Sequence, residues 1–321
     1  MRRIAVMTSG GDAPGMNPAI RAVIRTATSH GVEAFGIRQA YAGLLAGDFE
    51  RMTNRDVSGI IERGGTILQT ARNLDFKTEQ GQKRGFRRLN EHGIEGLVVI
   101  GGDGSLRGAQ ALHNLGFPVI GVPGSIDNDI WGTNMSIGVD TALNTILDAI
   151  DKLRDTASSH ECCFLLEVMG RNCGYLATMG GILGGAEFIV IPEYPTKLED
   201  IGEALEAAYM KGKSHAMGLI AEGATPKVHE VAEYLGSHAI GFEVRVTVLG
   251  HVVRGGSPSA FDRLLATRMG VSAVERLLAG ESGVMVGLHG REIGTVPIED
   301  AISKQREVSK EYIDMAEVLS K

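Results

Sequence analysis

In the stretch "VPGSIDNDIWGT" (122–133), Asp127 and Asp129 stand two positions apart among apolar and small residues. Like charges that close repel, so the plain alternative is a solvated turn. The chemical alternative is a division of labour. In an extended segment, side chains two apart point to one face. One carboxylate could then take a hydroxyl proton while the other stands near a metal ion through water. Phosphoryl transfer needs this pair of roles: a carboxylate that orients and deprotonates the acceptor, and Mg2+ that neutralises the phosphates.

Two glycine-rich stretches supply what such chemistry requires. "TSGGDAPGMN" (8–17) follows one apolar run and "GGDGSLRGA" (101–109) follows another, and each leads into a helical pattern. Glycines at a helix start let backbone N–H groups approach phosphates closely. Neither stretch has Walker A spacing or a clean G-x-G-x-x-G, which disfavours a P-loop enzyme or a simple dehydrogenase. Asp103 suits Mg2+ bound through one or two carboxylates plus phosphate oxygens; the structural alternative is a helix N-cap. Arg72, Arg171, Arg245 and Arg254 lie near strand ends or glycines, and His251 adds a donor. Guanidinium groups bind phosphates in fork geometry and stabilise charge on a transferring phosphoryl group. A solvated charge is the ordinary alternative for any one of them.

These residues need elements to hold them. Apolar runs recur at 3–8, 96–102, 118–124, 163–170, 187–192 and 216–223 without polar alternation, as in a parallel sheet covered on both faces. Helical patterns lie between them. Over 140–157, Leu143, Ile146, Leu147, Ile150 and Leu153 share one face, with Asp148 and Lys152 as an i,i+4 pair, and the pattern of 261–280 ends at Gly280. The alternation predicts an α/β fold with mainly parallel sheets, and the length of 321 residues predicts two lobes. Ligands are then expected at the carboxyl ends of strands, facing a cleft.

The totals narrow the class. Forty-four glycines is about twice the usual share, without a repeat period. A formal net charge of −7 argues against nucleic acid as the main partner. Cys162, Cys163 and Cys173, an odd number with two adjacent, suit neither a disulfide framework nor a metal site. No apolar run has membrane-spanning length, and the apolar stretch after Arg2–Arg3 is too short for a signal peptide. A soluble, cytoplasmic protein is expected.

With "TSGGDAPGMN", "RGGTIL", "VVIGGDGS", "PGSIDND", "DKLRDTASSH", "EVMGR", "AEG", "TVLGHVVRGGSP" and "DRLLATRMG" in this order, the chain resembles, end to end, the bacterial 6-phosphofructokinases that use ATP. The resemblance implies two similar three-layer α/β/α lobes, 1–138 plus 253–303 binding ATP and 139–252 plus 304–321 binding fructose 6-phosphate. It also implies a homotetramer. The ATP residues would be Gly11, Arg72, Asn73, Gly102, Asp103, Gly104, Ser105 and Gly108, with Asp103 the Mg2+ ligand. Asp127 would be the base for the sugar 1-hydroxyl, with Asp129 assisting near the metal. Arg72 and Arg171 would stabilise the transferring phosphoryl charge. Ser125, Ile126, Asp127, Met169, Gly170, Arg171, Glu222, His251 and Arg254 would contact fructose 6-phosphate, with Arg245 and position 162 reaching in from a neighbouring subunit. Gly104 and Gly124 stand where pyrophosphate-using members resemble "GGDD" and "PKTIDND", so both fit ATP. Arg21, Arg25, Arg154, Gly185, Glu187, Lys211 and Lys213 would form a site for a nucleoside diphosphate or phosphoenolpyruvate effector.

Two departures stand out. Ser125 replaces the family's threonine and keeps the hydroxyl. Cys162 replaces an arginine that reaches the sugar 6-phosphate, and losing that charge-assisted bond weakens binding by about ten- to a hundredfold. A weakly active or regulatory paralogue is therefore the second reading. A kinase of another acceptor is disfavoured, because NAD and lipid kinases share "GGDG" but lack "PGSIDND" and "GHVVRGGSP".

Overall fold

A computed structural model describes residues 1–238 and 240–320; Lys321, the end of the second expected lobe, lies outside them. In chain order the elements are β1 (Arg3–Ser9), α1 (Met16–Ser29), β2 (Glu33–Ile37), α2 (Ala40–Ala46), β3 (Phe49–Met52), α3 (Glu79–Glu91), β4 (Gly96–Gly101), α4 (Asp103–Asn114), β5 (Val119–Pro123) and α5 (Val139–His160). Then come β6 (Cys162–Val168), α6 (Tyr175–Gly184), β7 (Phe188–Val190), α7 (Leu198–Met210), β8 (Ala216–Ala221), α8 (Val228–Ser237), β9 (Glu243–Val248), α9 (Ala260–Leu278), β10 (Val284–His289), β11 (Glu292–Pro297), α10 (Ile298–Ser303) and α11 (Lys310–Ser320). The chain divides into one compact unit of Met1–Ile126, Ile130–Thr141 and Arg254–Gln305, and a second of Asp127–Asp129, Ala142–Val253 and Arg306–Lys321.

The first unit is built on a seven-stranded sheet in the order β11-β10-β5-β4-β1-β2-β3. Its five inner strands are parallel, and β3 and β11 close the edges antiparallel. Ala5, Met7, Leu97, Val99 and Val119 bury one face of the sheet against α2, α3, α4 and α10. The opposite face carries α1 and α9, which cross closely because Gly270 lets α9 approach the backbone of Ala19 on α1. Removing each of Met7, Leu97, Val99 and Val119 from water stabilises the layer by about 1.5–3 kcal/mol.

The register sets the strand ends level. Ser9 pairs with Gly101 and Gly101 with Pro123, so β1, β4 and β5 release their loops at one edge of the sheet. All three apolar runs read as strands there are strands. β2, β3, β10 and β11 were not visible as apolar runs; in the edge strands β3 and β11 exposed positions interrupt the pattern.

The second unit has a smaller, all-parallel sheet in the order β7-β8-β6-β9. Gly180 and Gly184 bring α6 against Leu219 of β8 and against Ile146 and Ile150 of α5, where any larger side chain would collide. The strand ends are again level: Val168 pairs with Ala221, and Glu167 with Val248. At the sheet edge, β9 is largely exposed, and the sequence pattern did not mark it as a strand.

Candidate functional site

In the first unit the site begins where β1 ends. Gly10 takes φ +87°, and the loop enters α1 through Gly15 at φ +112°. Such left-handed values suit glycine, which has no Cβ to clash. Asn17, buried at the start of α1, donates to the carbonyls of Arg63 and Gly64 and accepts from the Ile67 N–H at 2.8 Å. Thr8 and Thr66 share a hydroxyl hydrogen bond of 2.7 Å. These bonds dock the "RGGTIL" loop on the end of β1 and lead the chain to Arg72, which is exposed. Asn73 Oδ1 accepts from the Phe76 N–H at 3.0 Å and so caps the turn that follows.

Arg254 lies against the same loop. Its Nη1 donates to the Asp12 carbonyl at 3.3 Å, and a Cβ on Gly11 would come within 2.5 Å of that nitrogen. Gly64 and Gly256 also meet backbone to backbone. Gly11 and Arg254, expected on the ATP and sugar sides respectively, are thus neighbours.

At the end of β4, Gly101 packs on the Ser9 carbonyl, and Gly102 is the N-cap of α4. Asp103 is the first residue of the helix, so the N-cap alternative for it falls. An acid in the first turn is stabilised by the helix dipole. Its carboxylate is about half exposed and pairs with Arg107 at 2.9 Å. Ser105 is buried, and its carbonyl accepts from the Tyr41 hydroxyl at 2.6 Å. A Cβ on Gly108 would strike the Tyr41 ring, so Gly108 serves close helix packing. A Cβ on Gly104, by contrast, would meet nothing within 4 Å. Glycine in a helix costs about 0.5–1 kcal/mol relative to alanine, and no packing within the chain offsets that cost here. Gly124 sits more tightly, with Met16 Cε 3.2 Å from its virtual Cβ. Ser125 is partly exposed and Ile126 is buried.

Among the described residues, no group of three or more His, Cys, Asp or Glu could hold a metal ion. The half-exposed Asp103 carboxylate, in the first turn of α4, suits a hard cation that takes one carboxylate from the protein and completes its shell with phosphate oxygens and water, as Mg2+ does.

The second unit holds Asp127, Asn128 and Asp129. The segment is not extended, contrary to the sequence expectation. Asn128 has φ +52° and the chain turns there, so strand alternation does not relate the two carboxylates. Burial separates them instead: Asp127 is 4% exposed, and Asp129 is intermediate. Asp127 Oδ2 lies 3.9 Å from Arg171 Nε.

Arg171 is itself left-handed, at φ +48°, in the loop after β6. Two contacts hold it there. Its N–H donates to Glu222 Oε1 at 3.0 Å, and the Gly223 backbone lies so close to its carbonyl that a Cβ at 223 would fall 1.5 Å from the oxygen. The β6 and β8 loops thereby fix each other, with Met169 and Gly170 buried beneath. Burial first, and then the charges of Glu193, Asp129 and Asp127, push the Cys173 thiol up to about 12, which removes it as a nucleophile at neutral pH.

Cys162 opens β6 opposite Glu243 of β9 and is 1% exposed. Its Sγ lies 3.3 Å from the His160 carbonyl and 4.0 Å from Glu243 Oε2. Glu243 pairs at 3.0 Å with Arg245, which is about half exposed. His251 is exposed, on the short turn after β9. The effector-type residues divide between the units. Arg21 and Arg25 are half-buried on α1. In the second unit, Arg154 donates to the Gly184 and Gly185 carbonyls, Glu187 pairs with Lys213 at 3.2 Å, and Lys211 is exposed.

Arg306 and Tyr175, which no sequence motif singled out, both hydrogen-bond Asn128. Only the asparagine between two aspartates hinted at a held turn.

The sequence profile of the family described as Phosphofructokinase matches residues 3–277. The chain is 52% identical to the ATP-dependent 6-phosphofructokinase of Thermotoga neapolitana and 52% identical to that of Halalkalibacterium halodurans, with all of both chains covered in each case. Among solved structures, phosphofructokinase from Saccharomyces cerevisiae superposes with a TM-score of 0.88 at 35% identity. All of this chain matches 48% of that one, so it spans about half the yeast chain's length.

Proposed function

This chain belongs to the phosphofructokinase family, and from that premise we propose that it transfers the γ-phosphoryl group of ATP to the 1-hydroxyl of fructose 6-phosphate, giving fructose 1,6-bisphosphate and ADP. The observation that carries the reading is the buried Asp127 beside the Arg171 guanidinium. A carboxylate sheltered from water and facing a cation is suited to accept the proton of the acceptor hydroxyl. The guanidinium also lies where it can offset charge on the group in transfer. Asp103 would hold Mg2+ with Asp129 near it, and the ion would supply neutralisation of phosphate charge. Arg72 would add to that from the loop docked on β1. The open space beside Gly104 fits a nucleotide donor.

Ser125, Ile126, Met169, Gly170, Glu222, His251 and Arg254 are the acceptor's contacts in this reading, with Arg245 and Cys162 contributed by a neighbouring subunit of a homotetramer. Arg21, Arg25, Arg154, Gly185, Glu187, Lys211 and Lys213 would receive a nucleoside diphosphate or phosphoenolpyruvate effector, and the enzyme would act in the cytoplasm. A regulatory paralogue is not favoured, since Asp103, Asp127, Arg72 and Arg171 are all retained. The test is Asp127→Ser. Losing a positioned general base should lower kcat about 10²–10⁴-fold, and a rate within threefold of the parent enzyme would remove Asp127 from the role.

A further inference from the structure

Asn128 is the residue between the two carboxylates, and it is completely buried in the left-handed conformation. Asparagine enters that region more readily than most residues, yet a non-glycine residue stays there only when its surroundings hold it. Here the surroundings are specific. Arg306 Nη1 donates to Asn128 Oδ1 at 3.1 Å, and the Tyr175 phenol hydrogen-bonds the same side chain. The Arg306 guanidinium lies over the Tyr175 ring, 5.7 Å from its centroid, a cation–π contact that ties the two side chains together. Tyr175 opens α6, and the N–H of Gly174 before it is held by both oxygens of Glu193. One side of the clamp, Tyr175, thus stands at a hydrogen-bonded helix start, and the other, Arg306, comes from the loop between α10 and α11.

From this geometry we infer that Arg306, braced by Tyr175, is a positioning residue: it fixes the Asn128 turn and so sets where Asp127 and Asp129 point. The inference rests on the reading of Asp127 as the base. Arg306 also feels the Asp129 charge, so removing it changes both the shape and the field of the turn. Burial lowers the Arg306 pKa, but a guanidinium remains charged at neutral pH.

The test measures kcat, both KM values and the thermal midpoint for Arg306→Gln, Arg306→Lys, Asn128→Gly and the double variant Arg306→Gln/Asn128→Gly, with Asp127→Ser alongside. Misplacing a reacting group by about 1 Å costs up to a hundredfold in rate. We expect Arg306→Gln to lower kcat about ten- to a hundredfold while both KM values stay within about threefold. Lysine should recover at least about fivefold of that loss, because it still donates a hydrogen bond. In the Asn128→Gly background, Arg306→Gln should cost at least about threefold less than it does in the parent, because the part that acts through the shared contact is already gone and only the change of field at Asp129 remains. A kcat for Arg306→Gln within twofold of the parent overturns the proposal. So do equal losses in the glutamine and lysine variants that follow the thermal midpoint and add fully in the double variant, since those mark a merely structural role. Should Arg306→Gln not fold, Asn128→Gly decides: a kcat loss of tenfold supports the clamp and an unchanged kcat overturns it. Retained turnover in Asp127→Ser strikes the premise, whereas loss there with none in Arg306→Gln strikes the positioning role alone.

Discussion

Gly104→Asp adds one carboxylate in the first turn of α4, where nothing lies within 4 Å of a Cβ. The fold has no reason to object, and an acid near a helix N-terminus is favourable by about 0.3–1 kcal/mol. A phosphate brought to this turn would object. Two unit charges about 5 Å apart at an effective dielectric near 20 repel by about 3 kcal/mol. Screening at an exposed helix end reduces this to about 1–2 kcal/mol, so KM for ATP should rise about five- to thirtyfold. Gly104→Ala is the control. It fills open space without charge, so KM should stay within twofold while stability rises by about 0.5–1 kcal/mol. Steady-state kinetics across ATP concentrations, with urea unfolding of each variant, measures both. If the aspartate variant folds and its KM for ATP is unchanged, the donor phosphates do not sit at this turn.

Cys162→Arg should lower KM for fructose 6-phosphate about ten- to a hundredfold with kcat unchanged, because a charge-assisted bond contributes about 1.5–3 kcal/mol. The Glu243 carboxylate, 4.0 Å from the sulfur, offers the new guanidinium a partner, and an unchanged KM would remove position 162 from the acceptor site. Asp262, which is buried, accepts from the N–H groups of Gly138 and Thr141 and from the Thr141 hydroxyl, tying the start of α5 to α9. Asp262→Ala leaves those donors unmatched and should cost about 3–5 kcal/mol in urea unfolding; a loss below about 1 kcal/mol would show that the bonds contribute little.

The parallel strands β1, β4, β5, β6 and β8 were legible, though β2 and β10 were not, because a sheet covered on both faces writes itself as unbroken apolar runs, as in residues 96–101 and 163–168. The edge strands β3, β9 and β11 were not, since half-exposed positions such as Glu50, Arg51, Glu243 and Arg245 break the pattern. The glycine-rich turns and the paired aspartates could be read as chemistry, because their residue types have few other uses together. Their geometry could not. The backbone sign at Asn128 depends on Arg306, 178 positions away. Gly104 and Gly108 look alike in sequence, yet one faces open space and the other a tyrosine ring. Spacing along the chain carries the first kind of information, and only tertiary contact carries the second.

The most direct test of the central claim is the initial rate of fructose 1,6-bisphosphate formation from fructose 6-phosphate over a wide concentration range, with Mg2+ and either ATP or pyrophosphate as donor. The account predicts saturable turnover with ATP and a rate at least a hundredfold lower with pyrophosphate. Folded protein that makes no fructose 1,6-bisphosphate from ATP at any sugar concentration would contradict it.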